Sequence, residues 1–416
     1  MPAHVTILIA NLPAEKDRRV IRQCLSLEAA GFCVTVIAPR GDASLKTLPG
    51  SRDTRLRPYP VRVYGSGIVS YAFEFLWSFA CIAVRLTAEV LAGRAHGVQV
   101  CNPPDVYWPL ALLLRALGRP WVFDHHDLCN EVYATRSGGN PRRIVYRTLE
   151  LFEWLTMRTA TMVSSTNESF RDIALGRGVK PQRVIVVRNG PSKREIAAPD
   201  AAPDGMQRIV YLGVLGPQDN VRGAVLAADE LTRLRGRDDW RLVIAGDGEE
   251  LAALKALTTE RGLDDVVQFT GWLGPQAVDE LLRQATCAIQ PDLATRMNQL
   301  STMAKTVEYL GRGVPVVAVD LLETRRTAAE AATYVPTGDA AEFAKALDEL
   351  LRDDAQREQM RRIGLERFQT LLAWDHQAVP YVAMWSRLLA KRLHGGVPAP
   401  RTSLSEADSN AGRAER

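Results

Sequence analysis

One stretch decides the fold: Ser301-Thr-Met-Ala-Lys305-Thr-Val-Glu308-Tyr-Leu-Gly311-Arg-Gly313-Val-Pro-Val-Val-Ala318. Ser301 or Thr302 is a good N-cap for a short helix, and the two glycines that follow the helix provide a stop. The apolar residues 314–319 then predict a buried strand around a proline. A helix that leads into a buried strand is the repeating unit of a parallel α/β sheet.

The same helix combines the features of an anion site. Its N-terminus offers free N–H groups and the positive end of the helix dipole, which suit a phosphate. Lys305 lies in or next to the first turn, and Glu308 follows on the same face, where its carboxylate can accept hydrogen bonds from both vicinal hydroxyls of a ribose. Together they could hold a sugar nucleotide. In an ordinary βα unit, Lys305 and Glu308 would instead be a solvated pair worth about 0.2–0.5 kcal/mol.

Length and composition bound the class of protein. A chain of 416 residues exceeds what one hydrophobic core usually serves, so we expect two domains. The net charge of +4 is too weak to indicate nucleic acid as a partner, although it permits contact with anionic lipid. The six cysteines form no CxxC pair and several lie in apolar stretches, which is typical of small buried side chains in a reducing compartment.

Targeting signals are sparse. A predicted strand begins almost at the N-terminus with no basic segment before it, so we expect no signal peptide and a cytoplasmic protein. The most lipophilic stretch, 68–91, contains Glu74, Arg85 and Glu89, which argues against a spanning helix. We expect a helix packed in the N-terminal domain, and the alternative is a helix at a membrane interface, on the inner face of the membrane.

Strand-like apolar runs alternate with helical patterns along the chain, which predicts two Rossmann-like halves. The predicted strands are 5–10, 34–38, 61–64, 97–101, 121–124, 161–164 and 184–187, then 208–212, 241–245, 266–269, 287–290 and 314–319. We expect domains at 1–190 and 206–372, a Pro- and Ala-rich linker at 191–205, a C-terminal helix at 373–394 that returns to the first domain, and a disordered tail at 395–416. Ligands of such sheets bind beyond the carboxyl ends of the strands, so the domains would enclose a cleft.

At this point the chain resembles a family 4 glycosyltransferase of the GT-B fold, with two facing Rossmann-like domains. The resemblance rests on seven segments in order: Asp17-Arg-Arg-Val20, Phe123-Asp124-His125-His126-Asp127-Leu128, Thr166-Asn167-Glu168-Ser169, Val187-Arg188-Asn189-Gly190, Ala245-Gly246-Asp247-Gly248-Glu249, Phe269-Thr270-Gly271-Trp272 and the opening stretch. The Ser-Thr-Met-x-Lys-x-x-Glu-Tyr form is similar to that of a bacterial branch that builds surface polysaccharides.

The resemblance implies a retaining, metal-independent transfer from a nucleoside diphosphate sugar held by the C-terminal domain to a saccharide or lipid-linked saccharide on the N-terminal domain. It implies no cofactor. Glu308 would bind the ribose, and His126 and Asp127 would face the donor sugar as catalytic groups together with Lys305. The other donor-binding candidates are Ser301, Thr302, Gly213, Arg222, Gly246, Asp247, Gly248, Gly271 and Trp272.

The chain also departs from the family pattern. Leu300 stands where many relatives carry a glutamate that grips the donor sugar, and the N-terminal glycine-rich loop is missing. The segment from Gly213 to Asp219 has no basic residue where relatives commonly have two that meet the diphosphate. Lys305, Arg222 or Arg296 could supply that charge.

The remaining polar candidates have ordinary structural alternatives. Asp127 could simply cap a helix beside a partly buried His126. Asp105 follows a strand in what could be a plain turn, and it is an acceptor-side candidate together with Glu131. The other histidines are scattered and the paired aspartates lie in polar turns, so we expect no metal site.

Two rival functions remain open. A nucleotide-sugar epimerase of the same architecture would need carboxylates for proton abstraction, which the sequence does not identify. A catalytically inactive partner subunit would explain Leu300, Val214 and Asp219. A dehydrogenase is disfavoured because no G-x-G-x-x-G follows the first strand of either half.

Overall fold

A computed structural model describes residues 2–61, 68–193, 205–336 and 338–390. Within these ranges the first sheet contains seven parallel strands in the order β3-β2-β1-β4-β5-β6-β7. The strands are β1 His4–Leu8, β2 Cys33–Pro39, β3 Arg55–Tyr59, β4 Gly97–Cys101, β5 Trp121–His125, β6 Met162–Ser165 and β7 Val184–Val186. The order reverses between β1 and β4, which creates the crevice where ligands of doubly wound sheets bind.

The second sheet repeats this architecture. In the described part of the chain it contains six parallel strands in the order β10-β9-β8-β11-β12-β13. They are β8 Gln207–Leu212, β9 Trp240–Ala245, β10 Val267–Gly271, β11 Cys287–Gln290, β12 Val316–Val319 and β13 Ala332–Val335. The chain therefore folds into two parallel-sheet α/β domains, as the alternation of strands and helices predicts.

Helices cover both sheets. The first domain carries α1 Arg18–Ala29, α2 Ile68–Leu91, α3 Trp108–Ala116, α4 Cys129–Arg136, α5 Arg143–Thr159 and α6 Glu168–Gly176. The second carries α7 Val221–Arg235, α8 Leu251–Glu260, α9 Pro275–Arg283, α10 Arg296–Leu300, α11 Ala304–Gly311, α12 Leu322–Ala328, α13 Ala340–Arg352 and α14 Asp354–Arg367. Among the described residues, no helix is both long enough and apolar enough to span a bilayer.

The last helix, α15 Trp374–Leu388, packs on the first domain. Tyr381 donates a hydrogen bond to Gln99 in β4 (2.8 Å), and Trp374 donates one to Ser26 in α1 (2.9 Å). A side chain at Gly97 would clash with the ring of Trp385. Residues 391–394 of the predicted helix, the tail 395–416 and linker residues 194–204 lie outside the described part of the chain.

Two edge strands, β3 and β13, differ from the sequence prediction. The third strand is Arg55–Tyr59 rather than 61–64, and of that range only Val61 is described and is not in a strand. Its polar residues suit an edge position. Pro58 has no N–H to donate, but an edge strand has no second neighbouring strand that would need this hydrogen bond. The short edge strand β13 was not predicted. Interior strands were found because they are buried and mostly apolar.

Candidate active site

Two glycine-containing loops form the floor of the cleft on the second domain. They follow β8 and β9 and are held together by two hydrogen bonds. The N–H of Gly213 donates to the carbonyl of Ala245 (3.0 Å), and the N–H of Leu215 donates to the carbonyl of Asp247 (3.0 Å). A Cβ atom at Gly246 would clash with the Gly213 carbonyl, and one at Gly248 would clash with Leu215. These glycines therefore allow two backbone segments to approach closely at the carboxyl edge of the sheet.

Lys305 lies beneath this floor and is only 8% exposed. Its ammonium donates hydrogen bonds to Asp219 (2.9 Å), Asp292 (2.9 Å) and the hydroxyl of Tyr211 (3.2 Å). Burial alone would lower the pKa of Lys305, but the two carboxylates and the tyrosine outweigh it and hold that pKa well above its ordinary value. Lys305 therefore forms no solvated pair with Glu308, and its charge is already neutralised.

The carboxylates of this cluster exceed its cations. The Oδ2 atoms of Asp219 and Asp292 are buried and have no hydrogen-bond partner within the described structure. Burial raises the pKa of Asp292, and the attraction of Lys305 reduces this effect without reversing it. The segment from Gly213 to Asp219 lacks the basic residues that relatives commonly carry there. Its Asp219 instead neutralises Lys305, the residue that could have supplied the missing positive charge.

The start of α11 differs from the prediction. The helix begins at Ala304 with Met303 as its N-cap, so neither Ser301 nor Thr302 caps it. Ser301 instead ends α10, and the hydroxyl of Thr302 accepts a hydrogen bond from Asn167 of the first domain (3.1 Å). The cap prediction was wrong because a contact between the domains takes the side chain that local sequence would assign to the helix.

Glu308 is held by a buried arginine. Its Oε2 accepts a hydrogen bond from Arg312 (2.7 Å), which also binds Asp279 (2.9 Å). Its Oε1 lies 4.0 Å from Arg18 at the start of α1, and the side chain remains 17% exposed. Glu308 is thus a fixed carboxylate that faces the opposite domain, in a position from which it can accept hydrogen bonds from a ligand.

The other second-domain candidates lie around the same edge. Gly271 has a φ of 71° and accepts a hydrogen bond from Gly246 (2.9 Å), so the ends of β9 and β10 are joined. Trp272 follows and is 72% exposed, which leaves its ring free to stack. Asp247 accepts a hydrogen bond from the N–H of Gly248 (2.8 Å), and Arg222 lies exposed at the start of α7.

On the first domain, Asn102 organises the histidine loop. Its Oδ1 accepts hydrogen bonds from the N–H groups of His126 (2.8 Å) and Asp127 (3.1 Å), and its carbonyl contacts the His126 ring. Asp127 caps no helix, because α4 begins at Cys129 after Leu128. Burial raises the pKa of Asp127, and His126 opposes that effect. Asn102 was not among the sequence candidates, since its turn carries no local sign of this role.

The neighbouring histidine belongs to the core. His125 is fully buried; it stacks on Phe123 and packs against the tilted ring of Phe170. Burial lowers its pKa to about 3, so the imidazole is neutral. Of the two adjacent histidines, only His126 is partly exposed.

The two acceptor-side candidates differ in environment. Asp105 is buried, and burial, with the nearby charge of Glu153, raises its pKa to about 7. Glu131 accepts a hydrogen bond from the hydroxyl of Tyr146 (2.7 Å) and pairs with Arg296 of the second domain (3.2 Å). Arg296 of the second domain is therefore paired with a carboxylate of the first domain.

Several residues of the resembled segments have a structural role that the sequence did not indicate. Arg19 forms two hydrogen bonds with Asp124 (2.9 and 2.7 Å) and one each with the carbonyl of Val187 and the side chain of Asn189 (both 2.8 Å). Burial alone would raise the pKa of Asp124, but Arg19 lowers it to about 2. This network joins α1, β5 and the end of β7 beneath the cleft.

Direct contacts connect the two domains. Asn167 donates a hydrogen bond to the carbonyl of Leu300 (2.9 Å), and Ser169 donates one to Glu323 (2.6 Å). Both donor residues, Asn167 and Ser169, lie at the start of α6. The described residues include no group of three or more His, Cys, Asp or Glu side chains that could hold a metal ion.

Comparison with known proteins identifies the class. The family described as "Glycosyl transferase 4-like domain" matches residues 17–190, and that described as "Glycosyl transferases group 1" matches residues 192–367. The chain belongs to the family 4-like glycosyltransferases of the GT-B fold.

Among its relatives, the chain is 31% identical over 154 residues to an alpha-D-kanosaminyltransferase of Streptomyces kanamyceticus, an alignment that covers 36% of this chain and 38% of that protein. It is 25% identical over 334 residues to a 2-deoxystreptamine glucosyltransferase of the same organism, which covers 75% of this chain and 83% of that one.

Solved structures share the fold. Sucrose-phosphate synthase from Thermosynechococcus elongatus superposes with a TM-score of 0.74 at 17% identity and covers 94% of this chain and 100% of that one. HepE of Anabaena, solved with UDP-glucose, superposes with a TM-score of 0.68 at 13% identity and covers 92% of this chain and 99% of that one. At these identities the likeness concerns the fold.

Proposed function

We propose that this glycosyltransferase is a retaining, metal-independent hexosyltransferase that moves a sugar from a nucleoside diphosphate sugar to a saccharide acceptor. The observation that carries the proposal is Glu308, a carboxylate fixed by Arg312 at the carboxyl edge of the second sheet and turned towards the first domain. A carboxylate in that position suits the two hydroxyls of a ribose. Trp272 is exposed at the same edge and offers a face for the base.

The diphosphate then lies over the start of α11. The first N–H groups of that helix have no side-chain cap, so they are available to phosphate oxygens. Arg18 and Arg222, both exposed at helix starts near this edge, supply positive charge. Lys305 contributes indirectly, because it neutralises the carboxylates beneath the loops. Aimed N–H groups and arginines can stabilise a departing diphosphate without a metal.

On the opposite side, His126 and Asp127 face the transferred sugar. The Asn102 clamp on their backbone fixes the loop, which favours a defined contact of the His126 ring with a sugar hydroxyl. Glu131 and Asp105 lie farther along the acceptor side.

We further propose that the acceptor is lipid-linked and that the protein works peripherally at the inner face of the membrane, in cell-surface polysaccharide biosynthesis. Exposed apolar side chains on α2, among them Phe73, Leu76 and Val84, support contact with a lipid surface. The names of the relatives support only transfer to a sugar-like acceptor, and HepE supports a nucleotide sugar as the donor class.

A specific observation favours one alternative, a catalytically inactive partner subunit. Asp219 stands in the segment where relatives carry bases, and together with Asp292 it outnumbers the single cation Lys305. Excess negative charge beneath a diphosphate site would weaken donor binding.

The test is a thermal-shift and calorimetry panel of UDP, GDP, ADP, CMP and their common sugars with a chelator present. Selective binding of one nucleoside diphosphate is expected, with a stability gain of about 2.7 kcal/mol at a hundredfold excess over Kd. The anomeric configuration of the product, followed by NMR, then tests retention. Folded protein that binds none of these ligands would favour the inactive subunit.

A further inference from the structure

A cavity of about 370 Å³ opens at the acceptor-side rim of the cleft. It is lined by Pro141, Arg143, Tyr146, Arg147, Glu150 and, from the second domain, Arg296. Five of these residues belong to α5 or the turn before it, and the sixth begins α10. The cavity is therefore formed by both domains and is distinct from the floor that contains Gly213 and Gly246.

The lining of this cavity is positively charged. Three arginines face one carboxylate, Glu150, which pairs with Arg147 (2.9 Å), while Arg296 pairs with Glu131 just outside the lining (3.2 Å). Arg143 forms no ion pair with any other described residue. Arg143 and Arg147 are four residues apart on one helix face, where like charges repel each other. An anion between them would remove that repulsion.

The backbone adds to this charge. The α5 helix is seventeen residues long, and its N-cap, Arg142, provides no side-chain acceptor for the first N–H groups. The positive end of the helix dipole and these free donors lie where Arg143 begins the helix. Arginine forks are suited to phosphate because they can donate two parallel hydrogen bonds.

A second cavity adjoins the first at Arg296. It has a volume of about 570 Å³ and is also lined by Leu300. Arg296 and Leu300 begin and end α10, so about 6 Å of helix separates them. A ligand anchored at the arginines could thus extend along α10 as far as Leu300.

We propose that the arginine cavity binds the phosphate group of a phosphorylated acceptor and so positions that acceptor for transfer. This inference rests on the proposed function, because it assigns the acceptor class of that reaction. The phosphate could belong to a lipid headgroup or to a soluble phosphate ester. Ile144 (77% exposed), Leu151 and Trp154 on the same helix make a membrane surface one of the two sources to be tested.

Binding of glycerol 3-phosphate, measured by calorimetry, tests the shared chemistry. Arg143→Gln and Arg147→Gln are each expected to weaken this binding about tenfold, the scale of one charge-assisted hydrogen bond. Arg362→Gln, which removes an exposed arginine from α14, is the matched control and is expected to leave it unchanged. Binding should strengthen from about pH 5 to about pH 7, because the phosphomonoester gains its second charge near pH 6 while arginine stays charged.

Sedimentation with phosphatidylcholine vesicles, with and without phosphatidic acid, distinguishes the sources. Arginine-dependent binding to phosphatidic acid assigns a lipid phosphate, and arginine-dependent binding of glycerol 3-phosphate alone assigns a soluble ester. Equal affinity for glycerol 3-phosphate in all three variants and wild type, or no binding of either probe, overturns the proposal. The nucleotide panel on the same variants separates the two proposals. If nucleotides bind but no arginine-dependent phosphate binding is found, only this inference is overturned. If phosphate binding depends on the arginines but no nucleotide binds, only the donor assignment is overturned.

Discussion

Lys305→Met is expected to destabilise the second domain by about 4 kcal/mol. The substitution keeps the length of the side chain but removes the ammonium that donates to both Asp219 and Asp292 at 2.9 Å. Breaking a buried ion pair from one side destabilises a protein by about 3–5 kcal/mol. The variant could instead protonate one carboxylate. At pH 7 this would cost about 4 kcal/mol, at 1.36 kcal/mol for each pH unit above the ordinary aspartate pKa near 4 that applies in the unfolded chain. The two routes give the same magnitude.

Urea unfolding of wild type, Lys305→Met and the double variant Lys305→Met/Asp292→Asn measures this loss. The double variant should regain about half of it, because one of the two uncompensated carboxylates is gone. Lys345→Met is the control: Lys345 is 75% exposed in the side chain and lies 3.9 Å from Glu349 on α13, so its removal should change stability by no more than about 0.5 kcal/mol.

The pH dependence has a defined sign. In Lys305→Met the folded-state pKa of Asp292 rises further above its unfolded value, so the protonated form stabilises the fold at low pH. That contribution is lost as pH rises, and the deficit relative to wild type should therefore be smaller near pH 5 than near pH 8. If Lys305→Met unfolds at the wild-type urea concentration but loses nucleotide affinity, Lys305 is a direct diphosphate ligand and this reasoning is wrong.

Three further outcomes are expected. Glu308→Gln should weaken nucleoside diphosphate binding about tenfold but leave pyrophosphate binding unchanged in calorimetry; a parallel loss of both would contradict a ribose contact. Asp124→Asn leaves Arg19 without its carboxylate and should destabilise the protein by about 3–5 kcal/mol in urea. Because the native pKa of Asp124 is lowered to about 2, its contribution is present above about pH 4 and is lost as pH falls through about 2, so the variant should show a flatter stability profile there. His126→Ala should reduce kcat more than donor affinity, and equal losses would indicate a role in binding alone.

The interior of both sheets could be predicted from the sequence. Strands such as β5 and β9 are almost entirely buried and mostly apolar, so they could be recognised without knowledge of their partners. Of the four edge strands, β7 and β10 were predicted. The misplaced strand β3 has two arginines and a proline that interrupt its apolar pattern, and the missed strand β13 has only four residues. The start of α11 was misassigned because Thr302 serves a contact with Asn167, which lies 135 residues earlier.

Part of the candidate site could also be predicted. His126 and Gly246 directly follow β5 and β9, and these positions follow from chain order alone, since parallel strands bring their carboxyl ends to one edge. The roles of Asn102 and Arg19 did not follow, because their partners lie 24 and 105 residues away. The ordered segments of the family resemblance contained Arg19, Asp124 and Asn189 without indicating that these residues bind one another.

The sequence by itself determined the two α/β domains and the interior strands of their sheets. These features depend on local hydrophobic periodicity and on the handedness of parallel connections. Only the tertiary structure decided the electrostatics of the site. It paired Lys305 with Asp219, 86 residues away, and turned Arg296 across the cleft to Glu131. Charge pairing depends on distances between side chains of different elements, and no local pattern contains those distances.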